Sequence, residues 1–596
     1  MSHQSIVYLI VTLLFLSGMS RAEIQPDFLM DTDPEFHLLP PVQNAMPEYK
    51  RLWIEVLGRP EIDYQRMAAE SIAVAHQKGI PEMIEAVPAL ERVLTAESSH
   101  PAARFAAARA LIVLESRTSS EKLFEVSQKY GSDLKQLIEP ALAEWDSLPI
   151  RPVWLKRLET GDTRPRELIL AIRGIRRVRE TSALSTLQQI TLDPFRTPEI
   201  RLEAASAAGE LAETGLEVDA DRLIHATGAS SAIHRHCALR LLSRHSSEAT
   251  LKILTALATD PEPSIAAAAL ERLNQIDSAL VLPLVELAIR NSDANVRTQA
   301  ALAYLKLPTK DRIRTLAELL DDPHPGLRKR VCEGLYRIAE QPEYRETILS
   351  ATTEILSRDR WRGQEQSALL LGELEFKPAW KRVAELLESP RREVLIASAW
   401  CLRKIADPQS IPAIIDKIRR QTAKRQITPT EEIDQQVAHL FEACGRMVAK
   451  EAEPEMRMYI PKNLLMGERS RCAAVWALGW LHVGDPDQSL GRQLIERVND
   501  DAPLPPPSES FNFKRFCVIS LGRMKAVEYA AEFRLNLEKA RSSDKFAFAK
   551  RWALKQMTGE DPPDPVRDLA RNGSWFLEPI PPKGNSETKD SANLQP

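Results

Sequence analysis

One pattern that repeats along the middle of the chain constrains the fold more than any other feature of the sequence. Between residues 279 and 339, an apolar helix, a short turn with an Asp, an Arg and a second helix of small residues occur twice. The two arginines, Arg297 and Arg328, are 31 residues apart. Repetition at this period is typical of arrays in which each unit packs on its neighbours. The sequence therefore predicts a stack of helical hairpins.

The second helix of this pattern recurs along the chain, and its copies align without gaps. The aligned copies begin at Arg235, Ala266, Arg297, Arg328, Gln364, Leu395, Arg469 and Lys514. At about 100° per residue, the third, fourth and seventh positions after each start fall on one helix face. The third-position residues are all small: Ala238, Ala269, Ala300, Val331, Ser367, Ser398, Cys472 and Cys517. We predict that this face is core and that Trp476, at a seventh position, is structural.

The composition favours helices throughout the chain. Gly accounts for only 22 of the 596 residues and aromatic residues for 6%. Ala, Leu, Glu and Arg dominate, and these residues lose little side-chain conformational entropy when they enter a helix. The predicted fold is all-α, a right-handed α-α superhelix of about 12 helical hairpins. The formal net charge of −4 gives no overall attraction to nucleic acid.

The first residues have the features of an export signal. Residues 6–19 form an apolar run, and Ser20 and Ala22 place small residues at −3 and −1 of a cleavage site before Glu23. The run is too short to span a bilayer comfortably. We expect residues 1–22 to be a signal peptide cleaved after Ala22, and the mature chain to be periplasmic or secreted without a transmembrane span. An uncleaved anchor or a buried N-terminal helix is the alternative.

Two segments flank the predicted array. Residues 23–50 contain five prolines and no helical period, which predicts an extended lead-in that drapes on the first repeats or stays mobile. Residues 561–596 are rich in proline and polar residues, which predicts a partly disordered tail.

The array itself is predicted over residues 51–560, with three interruptions. Prolines and tryptophans near 116–165 indicate an irregular repeat. Polar or proline-rich stretches at 421–432 and 501–512 predict loops, because consecutive prolines cannot continue a helix.

The six cysteines contain no C-x-x-C pair. Their spacing argues against a zinc ribbon, a thioredoxin-like motif and a c-type haem site. Cys332, Cys472 and Cys517 fall at small-residue positions of the second helices. We therefore interpret the cysteines as buried free thiols.

The repeated pattern resembles the HEAT-repeat family, and more narrowly its bacterial branch with phycobilin-lyase-type repeats. The resemblance rests on Leu282-Pro283-Leu284-Val285, the turn from Asp293 to Arg297, the helix at 300–305, and the recurrence of the turn at Asp322 and Arg328. It implies a HEAT-like solenoid over roughly residues 50–560. It also implies that Asp293, Arg297, Asp322 and Arg328 form a structural ladder of turn residues. A catalytic ion pair is the sharper alternative, but these residues recur from unit to unit.

No catalytic or metal-binding motif is recognisable in the sequence. It has no His-Glu dipeptide of the kind that holds iron in hydroxylases of the family it resembles, and no H-E-x-x-H, P-loop, G-x-G-x-x-G or G-x-S-x-G. The one concentration of histidines comprises His225, His234, His236 and His245, together with Cys237. We interpret it as capping and surface residues, with a metal site as the alternative. We predict no catalytic residue and no cofactor.

A candidate docking surface lies opposite the packed face of the second helices. In HEAT arrays these helices line the concave side. Apolar residues occur there where a solvated face should be polar: Leu302, Leu305, Tyr336, Leu369, Ile396 and Trp400. We hypothesise that they bind an extended peptide or a partner helix, with Trp400 as the anchor. In the alternative interpretation the array curls tightly, or the lead-in or the loop at 421–432 covers these residues.

These observations favour a non-enzymatic protein-binding scaffold or adaptor that presents a concave face outside the cytoplasm. Its expected partner is a protein or peptide, not a nucleic acid. The alternative function is a lyase- or hydroxylase-like enzyme, or a handler of a cofactor or chromophore. The oligomeric state is not constrained by the sequence.

Overall fold

The computed structural model describes residues 24–37, 47–225, 231–425, 431–463, 465–501, 508–535, 537, 541, 544–562 and 565–566. Over these residues the chain is helical, and its one β contact is an isolated bridge between Arg541 and Val566. No helix in the described part has the length and apolar character needed to cross a membrane. The contacts divide the chain into two compact units. The N-terminal unit holds described residues 47–277, and the C-terminal unit holds 278–566 together with the segment 24–37.

The first helix, α1 (Leu29–Thr32), is a single turn within the segment 24–37. The described residues of the N-terminal unit then form seven helix pairs. Their helices are α2 (Pro47–Val56), α3 (Ile62–Gln77), α4 (Val87–Thr95), α5 (Pro101–Val113), α6 (Ser120–Lys129), α7 (Ser132–Glu144), α8 (Arg151–Glu159), α9 (Pro165–Arg177), α10 (Leu184–Leu192), α11 (Pro198–Leu211), α12 (Glu217–Ile224), α13 (Ser231–Leu241), α14 (Glu248–Leu257) and α15 (Pro263–Ile276).

The C-terminal unit continues the same construction with eight described pairs. Its helices are α16 (Val285–Ala288), α17 (Ala294–Lys306), α18 (Lys310–Glu318), α19 (Pro325–Ile338), α20 (Pro342–Ser357), α21 (Trp361–Glu373), α22 (Trp380–Glu385), α23 (Arg392–Ile405), α24 (Ile411–Arg425), α25 (Glu431–Met447), α26 (Glu453–Arg457), α27 (Glu468–Leu481), α28 (Gln488–Val498), α29 (Phe511–Met524), α30 (Ala530–Arg534) and α31 (Lys545–Thr558). Several first helices are short and begin with a 3₁₀ turn, whereas the second helices run longer.

The starts of the second helices follow from local chemistry. Proline occupies the first positions of α5, α9, α11, α15 and α19, where its missing N–H costs no hydrogen bond. Where no proline is present, a side chain often satisfies the free backbone N–H groups. Asp293 accepts from the N–H groups of Asn295 and Val296 at the start of α17, and Ser510 accepts from Phe513 at the start of α29.

The packed face predicted from the aligned second helices is buried as expected. All of the small third-position residues, from Ala238 to Cys517, have at most 2% of their surface exposed. Within each unit, successive second helices contact one another along this face. The six cysteines are free and buried, as the sequence indicated.

Several boundaries differ from the sequence expectations. The part near 116–165 is not irregular, because α6 to α9 form ordinary helix pairs there. The described array also has more helix pairs than the approximately 12 expected from its period. The predicted loop at 421–432 is shorter, since α24 continues to Arg425 and α25 begins at Glu431. Residues 1–22, 426–430, 502–507 and 567–596, which include the predicted signal peptide and most of the tail, lie outside the described residues.

The lead-in differs most from its prediction. Its described part, residues 24–37, packs on second helices of the C-terminal unit and not on the first repeats. Two of its residues, Ile24 and Met30, are buried there.

Candidate functional site

The residues from Asp27 to Phe36 contact five successive second helices of the C-terminal unit, α23, α25, α27, α29 and α31. We call residues 24–37 the N-terminal segment. We call the surface on which it lies the segment-binding face. The face is defined by the residues that contact the segment and by Arg515, whose charge interacts with Asp31; the contact residues are Trp400, Arg403, His439, Glu442, Arg469, Trp476, Trp480, Arg523 and Phe548.

The first anchor of the segment is the Asp27 carboxylate. Its Oδ1 accepts a hydrogen bond from Trp400 Nε1 at 2.8 Å and another from Arg403 Nη2. Trp400 and Arg403 are one turn apart on α23, so both donors reach the same oxygen. The Trp400 ring is fixed from behind, because it lies against Gly372 of α21 so closely that a Cβ there would be 2.8 Å from the ring. The indole is therefore held in position to donate.

The middle of the segment is held by α25 and by the start of α27. The Phe28 ring stacks on His439 with centroids 4.3 Å apart and planes 7° from parallel, and the Arg469 guanidinium lies 4.6 Å from the Phe28 ring centroid. The backbone N–H of Met30 donates to Glu442 Oε1 at 2.9 Å. Burial lowers the pKa of His439 below its usual value, so the ring is neutral at pH 7 and packs as an aromatic surface.

The second anchor is the Asp33 carboxylate, six residues after Asp27. Its Oδ2 accepts three hydrogen bonds, from Trp476 Nε1 at 2.9 Å, Trp480 Nε1 at 2.9 Å and Arg523 Nη2 at 2.6 Å. Two indoles and a guanidinium thus converge on one oxygen. Hydrogen bonds to an ionised acceptor are the stronger kind.

The two anchors repeat one device at two places on the array. Each combines an indole N–H with a guanidinium N–H on a single carboxylate oxygen. Because neighbouring repeats present equivalent helices, a ligand that runs along the stack can form the same kind of contact more than once.

The electrostatics of the face favour an anionic ligand. Burial opposes ionisation of Asp27, but the hydrogen bond from Trp400 and the charge of Arg403 outweigh it, and the pKa of Asp27 lies below its usual value. Burial lowers the pKa of both Arg515 and Arg523, which means that these cations are poorly hydrated where they lie. Asp31 adds an ion pair with Arg469 at 2.9 Å. The segment is acidic and contains no Lys or Arg, which matches this surface.

The predicted docking residues divide into two groups in the structure. Trp400 is 1% exposed and Leu369 is also buried, so neither is available as an exposed anchor. The segment lies over Trp400, which was the alternative left open by the sequence. Leu302, Leu305, Tyr336 and Ile396 are half-buried. Leu305 packs against Gly334 of the next second helix, which gives it a structural role.

Sequence reasoning missed most of the segment-binding face. It assigned Trp476 to the core alone. That ring is buried, at 1% exposure, but its N–H points out to Asp33. Arg403, Glu442 and Arg523 were not singled out. The available signals were the Trp and Arg spaced by three on α23, the two Trp spaced by four on α27, and the four acidic residues of the segment.

The four predicted turn residues hold the turns in place, and one of their contacts, between Arg297 and Asp322, joins neighbouring repeats. Arg297 donates to both carboxylate oxygens of Asp322 in the next repeat, at 2.7 and 2.8 Å. It also donates to the backbone carbonyl groups of Asn291 and Ser292. Arg328 repeats the motif by donating to the carbonyl of Asp322 at 2.8 Å. Asp293 serves as the cap of α17. The arrangement explains the recurrence of these residues as packing of one turn on the next.

A cluster of metal-ligand residues is accounted for by ion pairing. Glu453, His482 and Asp487 place three ligand-type atoms within 4.8 Å of one another. Arg457 donates to Glu453 and to Asp487, each at 2.8 Å, and Asp487 also caps α28. One guanidinium therefore already pairs with both carboxylates of the cluster. The histidines between 225 and 245, with Cys237, do not form a comparably close group of three among the described residues.

Comparison with known proteins agrees with this architecture. The family described as HEAT repeats matches residues 220–306. No curated protein matches the chain in sequence. Yeast importin-β (Kap95p), in a structure with RanGDP, is similar in fold: it is 14% identical, with a TM-score of 0.51, over 86% of this chain and 72% of that chain. Kap121p is 12% identical, with a TM-score of 0.48, over 86% of this chain and 57% of its own.

The fold is an all-α solenoid of the HEAT type. At these identities the likeness shows the fold alone, and the narrower resemblance to phycobilin-lyase-type repeats stays a prediction.

Proposed function

We propose that the protein is a non-enzymatic scaffold that binds an extended polypeptide of another protein on the second-helix side of its C-terminal unit. The observation that carries the proposal is the segment-binding face, which already holds a polypeptide through two carboxylate anchors and a stacked ring. Side chains from α23 to α31 supply these contacts, so each repeat adds a contact along the ligand. This is the mode expected of a repeat array with an extended binding surface.

We also propose that this side is the concave one and that the protein works outside the cytoplasm, as the apolar run at residues 6–19 and the small residues before Glu23 suggest. The enzyme alternative has little in its favour, because in the cluster of Glu453, His482 and Asp487 both carboxylates already pair with Arg457. A scaffold needs no reactive group, and the side chains of the segment-binding face serve to bind a ligand.

The direct test is crosslinking mass spectrometry on the native compartment, with the full chain and a variant altered at the segment-binding face. The variant Arg523→Ala removes one anchor donor. We expect crosslinks from α23 to α31 to a partner protein in the native chain and their loss in the variant. Crosslinks confined to the N-terminal unit, or purified protein that carries a bound metal or chromophore, would contradict the proposal.

A further inference from the structure

We infer that the partner's binding element is an acidic extended peptide with two carboxylates six residues apart, and that residues 24–37 occupy its place as an intramolecular competitor. This inference rests on the proposed function and names the partner class of the same face. The spacing is that of Asp27 and Asp33, whose carboxylates reach the two indole–guanidinium anchors. An aromatic residue directly after the first carboxylate matches the Phe28 stacking position on His439.

The first argument is that the face has more donors than the segment satisfies. Three arginine N–H groups, Arg403 Nε, Arg515 Nε and Arg523 Nη1, are buried and have no hydrogen-bond partner among the described residues. All three side chains are at least nine-tenths buried. A buried donor without a partner carries a desolvation cost, and a ligand with a further acceptor would remove it. A carboxylate-rich peptide supplies acceptors of matching charge.

The second argument is that the segment is held at its surface and is little buried. The Asp27 side chain is 69% exposed although it makes both anchor contacts, and Asp31 is also exposed. Apart from Ile24 and Met30, the described residues of the segment are exposed or half-buried. A strap that belonged to the core would bury apolar side chains along its length. These contacts resemble those of an exchangeable ligand that is bound through a few polar anchors.

The third argument concerns competition. A tethered ligand has an effective concentration on the order of millimolar, so an external peptide of the same affinity is excluded until the tether is released or outcompeted. If the free peptide binds with a Kd on the order of 10 μM, the tether weakens its binding about 100-fold. A partner can therefore displace the segment only if it is abundant, binds more tightly than the segment or is multivalent.

The test uses the full chain with a protease site inserted between His37 and Pro47, cleaved after folding. A fluorescent synthetic peptide of residues 24–37 is titrated by anisotropy against the cleaved and the intact protein. We expect binding to the cleaved protein and about 100-fold weaker binding to the intact one. The Asp27→Asn and Asp33→Asn peptides should each bind at least 10-fold more weakly. The Glu35→Gln peptide is the matched control and should bind like the native one, because the Glu35 side chain is 77% exposed and pairs with His37 of the peptide itself.

A random peptide library selected on the cleaved protein then identifies the partner class. Enrichment of paired acidic residues at a spacing of six supports the inference. Enrichment of basic or wholly apolar peptides overturns the partner class and leaves the scaffold function standing. If only the native peptide rebinds, the segment is a permanent strap and the inference fails. A dimer in light scattering, with the segment crosslinked to the other copy, overturns it as well, since the occupant is then a second copy.

Discussion

The Asp33 carboxylate accepts a hydrogen bond from the indole of Trp476 at 2.9 Å, although the two residues are 443 positions apart in the chain. The contact joins a segment with no repeat pattern to a second helix whose pattern is regular. Its donor, Trp476, lies in the core, so the binding contact is built directly on the packing of the array.

Removal of one donor from this anchor should loosen the segment without unfolding the array. Trp480→Phe keeps an aromatic ring at a partly exposed position and deletes one of the three hydrogen bonds to Asp33. A hydrogen bond to a charged group contributes about 1.5–3 kcal/mol, so the equilibrium constant for docking should fall about 10- to 100-fold. Hydrogen exchange of residues 24–37 measures this change. Trp380→Phe on α22 is the matched control and should leave exchange in the segment unchanged.

Acid should release the first anchor of the segment. The pKa of Asp27 is lowered in the docked state, so its contribution to docking is complete above the ordinary value of 3.8 and is lost as pH falls through the lowered pKa. A fluorophore on Gln25→Cys reports segment mobility by anisotropy, since Gln25 is exposed and the native thiols are buried. We expect constant anisotropy from pH 7 to about 4 and a decrease below. In an Asp27→Asn background the anisotropy at pH 7 should be lower than in the native chain, and the decrease below pH 4 should be smaller.

The turn ladder should be a major contributor to the stability of the C-terminal unit. Arg297→Ala leaves the buried Asp322 carboxylate without its bidentate partner. Breaking a buried pair from one side costs about 3–5 kcal/mol, which urea unfolding followed by circular dichroism would measure. Arg314→Ala removes an exposed pair of similar length with Asp311 and should cost less than about 1 kcal/mol. Equal losses in the two variants would show that the ladder adds nothing specific.

A single methyl group at Gly372 should disturb both packing and docking. An alanine Cβ there would lie 2.8 Å from the Trp400 ring and 3.1 Å from the Cys401 backbone. Overpacking of this kind costs about 1–3 kcal/mol, and a displaced Trp400 can no longer donate to Asp27. Gly131→Ala, at a position with nothing within 4 Å, is the control and should behave like the native protein. Docking is scored by hydrogen exchange of the segment, and stability by the urea midpoint.

The native protein should be almost inert to thiol reagents. Burial raises the pKa of Cys237 to about 11 and that of Cys444 to about 12, and all six cysteines are buried and free. We expect fewer than one thiol per chain to react under native conditions and six after unfolding in guanidinium. A reactive thiol in the native state, or a total below six after unfolding without reductant, would contradict the structure.

The array could be predicted from the sequence because its packing repeats. Ala238, Ala269 and their equivalents are small for one physical reason, the close approach of neighbouring helices, and that reason recurs at a fixed period. The repeats near 116–165 were not recognised as regular, because prolines such as Pro140 and Pro152 obscure the period although the helices still form.

The binding face could be predicted only in part. Helical periodicity gives the direction of a Cβ atom but not the reach of a long side chain, so Trp476 was assigned to the core while its N–H extends to the surface. Trp400 was found because its position in the helix falls on the side opposite the packed face predicted from the repeat. Its occupant could not be identified, since no period connects Asp27 with a helix more than 360 residues later. Such a contact is specified by complementary chemistry and not by spacing.

The position of the segment in the chain has a consequence for the order of events during synthesis. Asp33 leaves the ribosome 490 residues before Arg523, its anchor on α29. At about 5–20 residues per second, that interval is roughly half a minute to a minute and a half. During that time the second anchor is incomplete, and the earlier repeats can stack before the segment is fully docked. Docking therefore marks a chain whose last repeats have been made and folded, and a truncated product would display its acidic segment free.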